Sequence, residues 1–103
     1  MRVDYADGVF EELVSLSFYL AESDEDVAQK FLDACDKTFL FLAENPFVGS
    51  LKNFKKAELS EVRMWRVKGF EKYLIFYKPL NYGIKILHVL HSATDYNRAF
   101  END

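Results

Sequence analysis

The chain is poor in the residues that most small functional sites are built from: one cysteine, two histidines, two prolines, one tryptophan and four glycines among 103 residues. A lone Cys35 excludes an intramolecular disulfide and fits a reducing compartment. With no second cysteine and no third histidine, the usual zinc ligand sets cannot be completed. The glycines Gly8, Gly49, Gly69 and Gly83 are isolated, so there is no glycine-rich phosphate loop, and no G-x-S-x-G nucleophile elbow occurs. No apolar run approaches the roughly 20 residues that a membrane helix needs, and "MRVDYADGVF" has no apolar signal core. These absences lead to the expectation of a cytoplasmic protein without metal or cofactor.

Basic side chains are also scarce, but only in one half. Residues 1–45 hold 3 basic and 11 acidic side chains (3 − 11 = −8), whereas residues 46–103 hold 10 and 6 (10 − 6 = +4), giving the net charge of −4. An excess of +4 is a weak field beside that of a nucleic-acid-binding domain, so direct DNA binding is not expected.

What the chain has in quantity is apolar surface: half its residues are hydrophobic and 17% are aromatic. A chain of this length forms one domain, here spanning 1–103. Its apolar content implies either a tightly filled aromatic core or a core plus a surplus that a partner covers.

Periodicity orders the elements. "MRVDYA" is a short strand with Val3 and Tyr5 on one face. Asp7 is an expected N-cap for a first helix with Phe10, Leu13, Val14, Ser17 and Leu20 on one side. Ser23 is an expected N-cap for a second, with Asp24, Glu25 and Asp26 loading its positive end. Val27, Phe31, Ala34, Cys35, Thr38 and Leu42 make its apolar stripe, with Phe39 alongside, and Pro46 stops it. The short connection predicts an antiparallel helical hairpin. "FVGSLKNFKKAELS" is a loop with a Lys52/Lys55/Lys56 cluster. Three strands follow as a meander broken at Gly69 and at Asn81–Gly83, with "YLIFY" apolar on both faces and therefore central. The fold class is α+β: an N-terminal strand, then a helical hairpin packed on a small, largely antiparallel four-stranded sheet.

His88 and His91 raise the question of a site. In a strand, alternation puts Ile84, Ile86, His88 and Leu90 on one face and Lys85, Leu87, Val89 and His91 on the other. Three residues also separate the two imidazoles by about 10 Å along the strand, so they do not chelate one metal. His88 reads as a packing histidine. His91, at the strand end before "SATD", is placed where working residues occur but also where a loop takes a hydrogen bond.

"VRMWRVKGFEKYLIFYKPLNYGIKILHVLHSATD" resembles the C-terminal half of ParE-type toxins of the RelE/ParE superfamily. The matching features are Arg63, Val67, a tight turn, "YLIFY", a second turn and "ILHVLHSATD". Upstream, Tyr19, "A-x-K-F-x-D" at 28–33 and "L-x-x-N-P-x-x-G" at 42–49 are similar as well. The resemblance implies a toxin encoded with an antitoxin that folds on binding it, as a heterodimer or heterotetramer.

Two modes of action follow from it. RelE-like members cleave mRNA on the ribosome, which would make Lys68, Arg63, His91 and Tyr96 the catalytic candidates here, since cations around the scissile phosphate plus an acid and a base are required. ParE-like members with a known target bind and inhibit DNA gyrase; Arg63, Arg66, Lys68, His91, Arg98 and Phe100 are then candidates for target or antitoxin contact. Related toxins often carry a cation three residues after this histidine, where Thr94 stands. That departure and the acidic total favour the binding mode, and also keep open a toxin fold that has lost toxicity.

Overall fold

The structure, a computed structural model, describes residues 1–101. The element order is β1 (Arg2–Tyr5), α1 (Val9–Ala21), α2 (Glu25–Glu44), β2 (Ser50–Leu51), β3 (Arg63–Val67), β4 (Phe70–Leu80), β5 (Gly83–His91) and α3 (Tyr96–Glu101), with a single 3-10 turn at Ala57–Leu59 between β2 and β3. The strands form one mixed sheet in the order β1-β5-β4-β3-β2. Within it β1 runs parallel to β5, and the other neighbours are antiparallel. The sheet thus has five strands rather than four. Two-residue β2 lies in the stretch read as loop, and is too short to show alternation. No helix among the described residues is long and apolar enough to cross a membrane.

The central strand is β4, and both its faces are covered. Tyr73, Ile75 and Tyr77 join the cluster beneath the helical hairpin, with Phe31, Cys35, Phe39 and Leu42 of α2. Leu74 and Phe76, of opposite parity, join a second cluster on the far face with Val62 and Phe100 of α3. This explains five consecutive buried residues in "YLIFY". Each such large side chain contributes about 1.5–3 kcal/mol through removal from water.

Local details differ from the sequence expectation in three places. Gly8, not Asp7, caps α1: its φ of 91° turns the chain sharply out of β1, a geometry that glycine adopts at low cost. The buried side of α1 is Val9, Leu13, Leu16 and Leu20, while Phe10, Val14 and Phe18 are 60%, 51% and 69% exposed. The helix carries two apolar stripes, and its exit from β1 decides which one meets the sheet. In α2, Asp24 takes the cap from Ser23, its carboxylate accepting from the Asp26 N–H at 2.9 Å.

The alternation assumed along β5 is also broken. Phe76 pairs with His88, but Tyr77 pairs with Ile86, so β5 has one extra residue there. Beyond this bulge the faces exchange: Val89 is buried with Ile84 and Ile86 under the helices, while Leu87 and Leu90 pack on the far side. On its other edge, β5 is paired by β1 only as far as Ile86, because β1 ends at Tyr5, and no strand follows there among the described residues. Glu12 of α1 fills that role, its carboxylate accepting from the Val89 N–H at 3.0 Å and meeting His88 Nδ1 at 2.7 Å.

A buried clamp joins helix to sheet. The Tyr77 hydroxyl, fully buried, accepts from the Gly49 N–H at 2.9 Å and donates to the Pro46 carbonyl at 2.9 Å. Burial pushes the phenol above its ordinary range, although the Gly49 hydrogen bond and the Arg63 charge oppose the shift, so the proton needed for donation stays in place. Arg63 of β3 donates to the Gly49 carbonyl at 2.7 Å and the Phe47 carbonyl at 3.2 Å, and lies over the Phe47 ring.

Two outcomes follow. A Cβ on Gly49 would lie 2.6 Å from the Tyr77 oxygen and 2.9 Å from the Met64 carbonyl, both held in place. Gly49→Ala is therefore expected to lower stability by about 2–4 kcal/mol, read as a shift in the urea midpoint at unchanged slope. The Cys35 thiol is pushed up to about 12, chiefly by burial and then by Asp36. Because the thiolate is the reactive form, native protein at pH 8 should resist a disulfide reagent that labels it at once in guanidinium.

Candidate functional site

The sheet end that carries the β3–β4 turn is where charged side chains gather. Arg66 donates to the Glu71 carbonyl at 2.6 Å across the base of the turn. The Lys68 N–H donates to Thr38 Oγ1 at 3.3 Å, and the same hydroxyl donates to the Ala34 carbonyl at 2.6 Å. Thr38, nearly fully buried, thereby ties the turn to the middle of α2 with its own polar atom satisfied.

Between α2 and this turn runs an open groove of about 920 Å³. Its floor is apolar, with the Trp65 and Phe41 rings stacked at 6.0 Å. Lys30, Lys37, Arg66 and Lys68 line it, against the two acids Asp33 and Glu71. The α2 contribution was missed in the sequence. Its signal was there, since Lys30, Lys37 and Phe41 follow helical spacing along one flank of the core stripe, with Ala34 of the stripe beside them.

The four side chains that an endonuclease would use are distributed as follows. Lys68 is exposed beside the turn and lines the groove. Arg63 is engaged with the two backbone carbonyls of the 47–49 loop rather than with a carboxylate. His91 stands edge-on to the Tyr73 ring at 5.1 Å, and its Nδ1 accepts from the Ala93 N–H at 3.0 Å. Tyr96 packs on the far face against Phe76 and Phe54. Lys68 and His91 share one end of the sheet; Arg63 and Tyr96 are directed elsewhere.

The remaining contact candidates also separate. Arg66 is exposed beside Lys68, and Arg98 is exposed on α3. Phe100 is 2% exposed in the far-face cluster, edge-on to His88 at 4.7 Å. Thr94 is exposed in the turn after β5, its N–H donating to the His91 carbonyl at 2.9 Å. His88 and His91 face opposite sides of the sheet, as alternation required, although the bulge reverses which residues accompany each.

This arrangement of strand, helical hairpin and mixed sheet is consistent with the RelE/ParE fold. A comparison with curated proteins finds no match. A family model described as "ParE toxin of type II toxin-antitoxin system, parDE" matches residues 3–96, from β1 to the first residue of α3. The chain belongs to the ParE toxin family of type II toxin–antitoxin systems, a membership that implies a cognate ParD antitoxin.

Proposed function

We propose that this ParE toxin acts in the cytoplasm by binding a protein target without cutting nucleic acid, that the target is DNA gyrase, and that a cognate antitoxin folding on the toxin neutralises it. The observation that carries the reading is the state of Arg63. A phosphate-cleaving site needs several cations free to converge on one phosphate. The Arg63 guanidinium instead donates to two carbonyls of the 47–49 loop, and moving it would give up the part-buried hydrogen bond to Gly49. Tyr96, on the opposite face from His91, gives no acid or base within reach of it. The overall charge of −4 adds a long-range penalty for entry into the anionic interior of a ribosome. Arg66, Lys68, His91 and Arg98 are left as the contact residues that this reading favours.

Purified toxin at micromolar concentration is expected to inhibit supercoiling of relaxed plasmid by gyrase, with Lys68→Glu weakening the effect. Unchanged supercoiling would count against gyrase as the target. Toeprinting on translating ribosomes tests the enzyme alternative: no codon-specific cuts are expected, and cuts that vanish in both Lys68→Ala and His91→Ala would overturn the binding mode.

A further inference from the structure

The groove between α2 and the β3–β4 turn has a charge opposite to that of the molecule. The first 45 residues contain only three basic side chains, and two of them, Lys30 and Lys37, line this groove. With Arg66 and Lys68 facing them and only Asp33 and Glu71 as acids, the lining totals +2 (4 − 2) in a protein of −4. None of the four cations forms an ion pair among the described residues. Asp33 is engaged with Gln29 instead, its carboxylate accepting from Nε2 at 3.1 Å.

The floor is the second observation. Phe41 is 42% exposed and stacks on Trp65, giving an aromatic platform open to solvent between two rows of cations. The third is the strand edge beside it. β2 pairs with β3 only at Arg63 and Met64, so among the described residues β3 from Trp65 to Val67 has no strand on its outer side. Platform, cationic rim and free strand edge occur together, and each suits a different part of one ligand.

We propose that this groove docks an extended acidic segment of a partner protein, with an apolar or aromatic residue seated on Phe41 and Trp65 and carboxylates meeting Lys30, Lys37, Arg66 and Lys68. The chemistry selects peptide over nucleic acid. A single strand would bring a phosphate at every nucleotide, and those falling within about 8 Å of the acidic first half of the chain would be repelled without full screening at physiological salt. An acidic peptide places its charges only where the rim is positive, and its backbone can also pair with β3. The inference deepens the binding reading above but does not require gyrase, because it concerns the groove and not the target's identity.

Trp65 is the only tryptophan in the chain, so its emission reports directly on the groove. The probe is a twelve-residue peptide alternating Asp or Glu with Leu and Phe. The controls are the same apolar sequence with Lys for each acid, and polyuridylate. A saturable change with the acidic peptide, weakened by salt, is expected. Lys37→Glu combined with Lys68→Glu should weaken it about tenfold or more, reverse the preference towards the lysine peptide, and leave the thermal midpoint within a few degrees. Lys85→Glu, exposed on β5 outside the groove, should bind as the parent does. No saturable change, equal response to the lysine peptide, or tighter binding of polyuridylate would overturn the proposal. Because no gyrase is present, this failure is separate from a failure of the supercoiling assay.

Discussion

The Tyr77 hydroxyl is the point on which the arrangement turns. It sits at the centre of the molecule on the middle strand, and its two hydrogen bonds hold the chain where α2 hands over to the sheet. Without it, the Gly49 N–H and the Pro46 carbonyl would be left unpaired, at about 1–3 kcal/mol each where no water replaces the partner. Gly49 must lack a side chain because the phenol occupies that space. Arg63 completes the junction from β3, its guanidinium held by the Gly49 and Phe47 carbonyls. A single packing requirement thus accounts for the "N-P-x-x-G" pattern, for a fully buried tyrosine hydroxyl on the central strand and for the engagement of an arginine that resemblance alone would place at an active site.

Much of this was legible in the sequence, and the failures have physical causes. The helical hairpin, the meander and the central position of "YLIFY" follow from period and turn residues, since these reflect burial directly. The side of α1 that faces the core was not legible, because Phe10–Val14–Phe18 and Val9–Leu13–Leu16 are equally good stripes and only the left-handed turn at Gly8 chooses between them. The bulge in β5 was not legible either. A one-residue slip leaves no trace in composition, yet it moves Val89 into the core, next to the edge that Glu12 closes beyond the end of β1. Glu12 itself read as an ordinary acid in a first turn; its partner lies 77 residues away.

The same logic separates structure from function at the turn end of the sheet. Thr38 fixes the β3–β4 turn against α2, and that contact sets the distance between the two rows of cations lining the groove. The residues that hold the fold together, Tyr77, Arg63 and Thr38, have their polar atoms engaged within the chain. Those at the groove, Lys30, Lys37, Arg66 and Lys68, keep their charges out of ion pairs among the described residues, although Arg66 spends one N–H on the Glu71 carbonyl. The proposed binding mode needs this division: a rigid frame, and beside it an open charged surface with an aromatic floor.

The central claim is that Gly49, in a stretch that reads as a loop, is buried and fixed to the central strand by Tyr77. Amide hydrogen exchange at Gly49 tests it directly. If its N–H is held by the buried Tyr77 oxygen, it exchanges as slowly as the amides of β4, through opening of the whole domain. Exchange as fast as that of exposed Phe47 would show the clamp to be open in solution and would contradict the account.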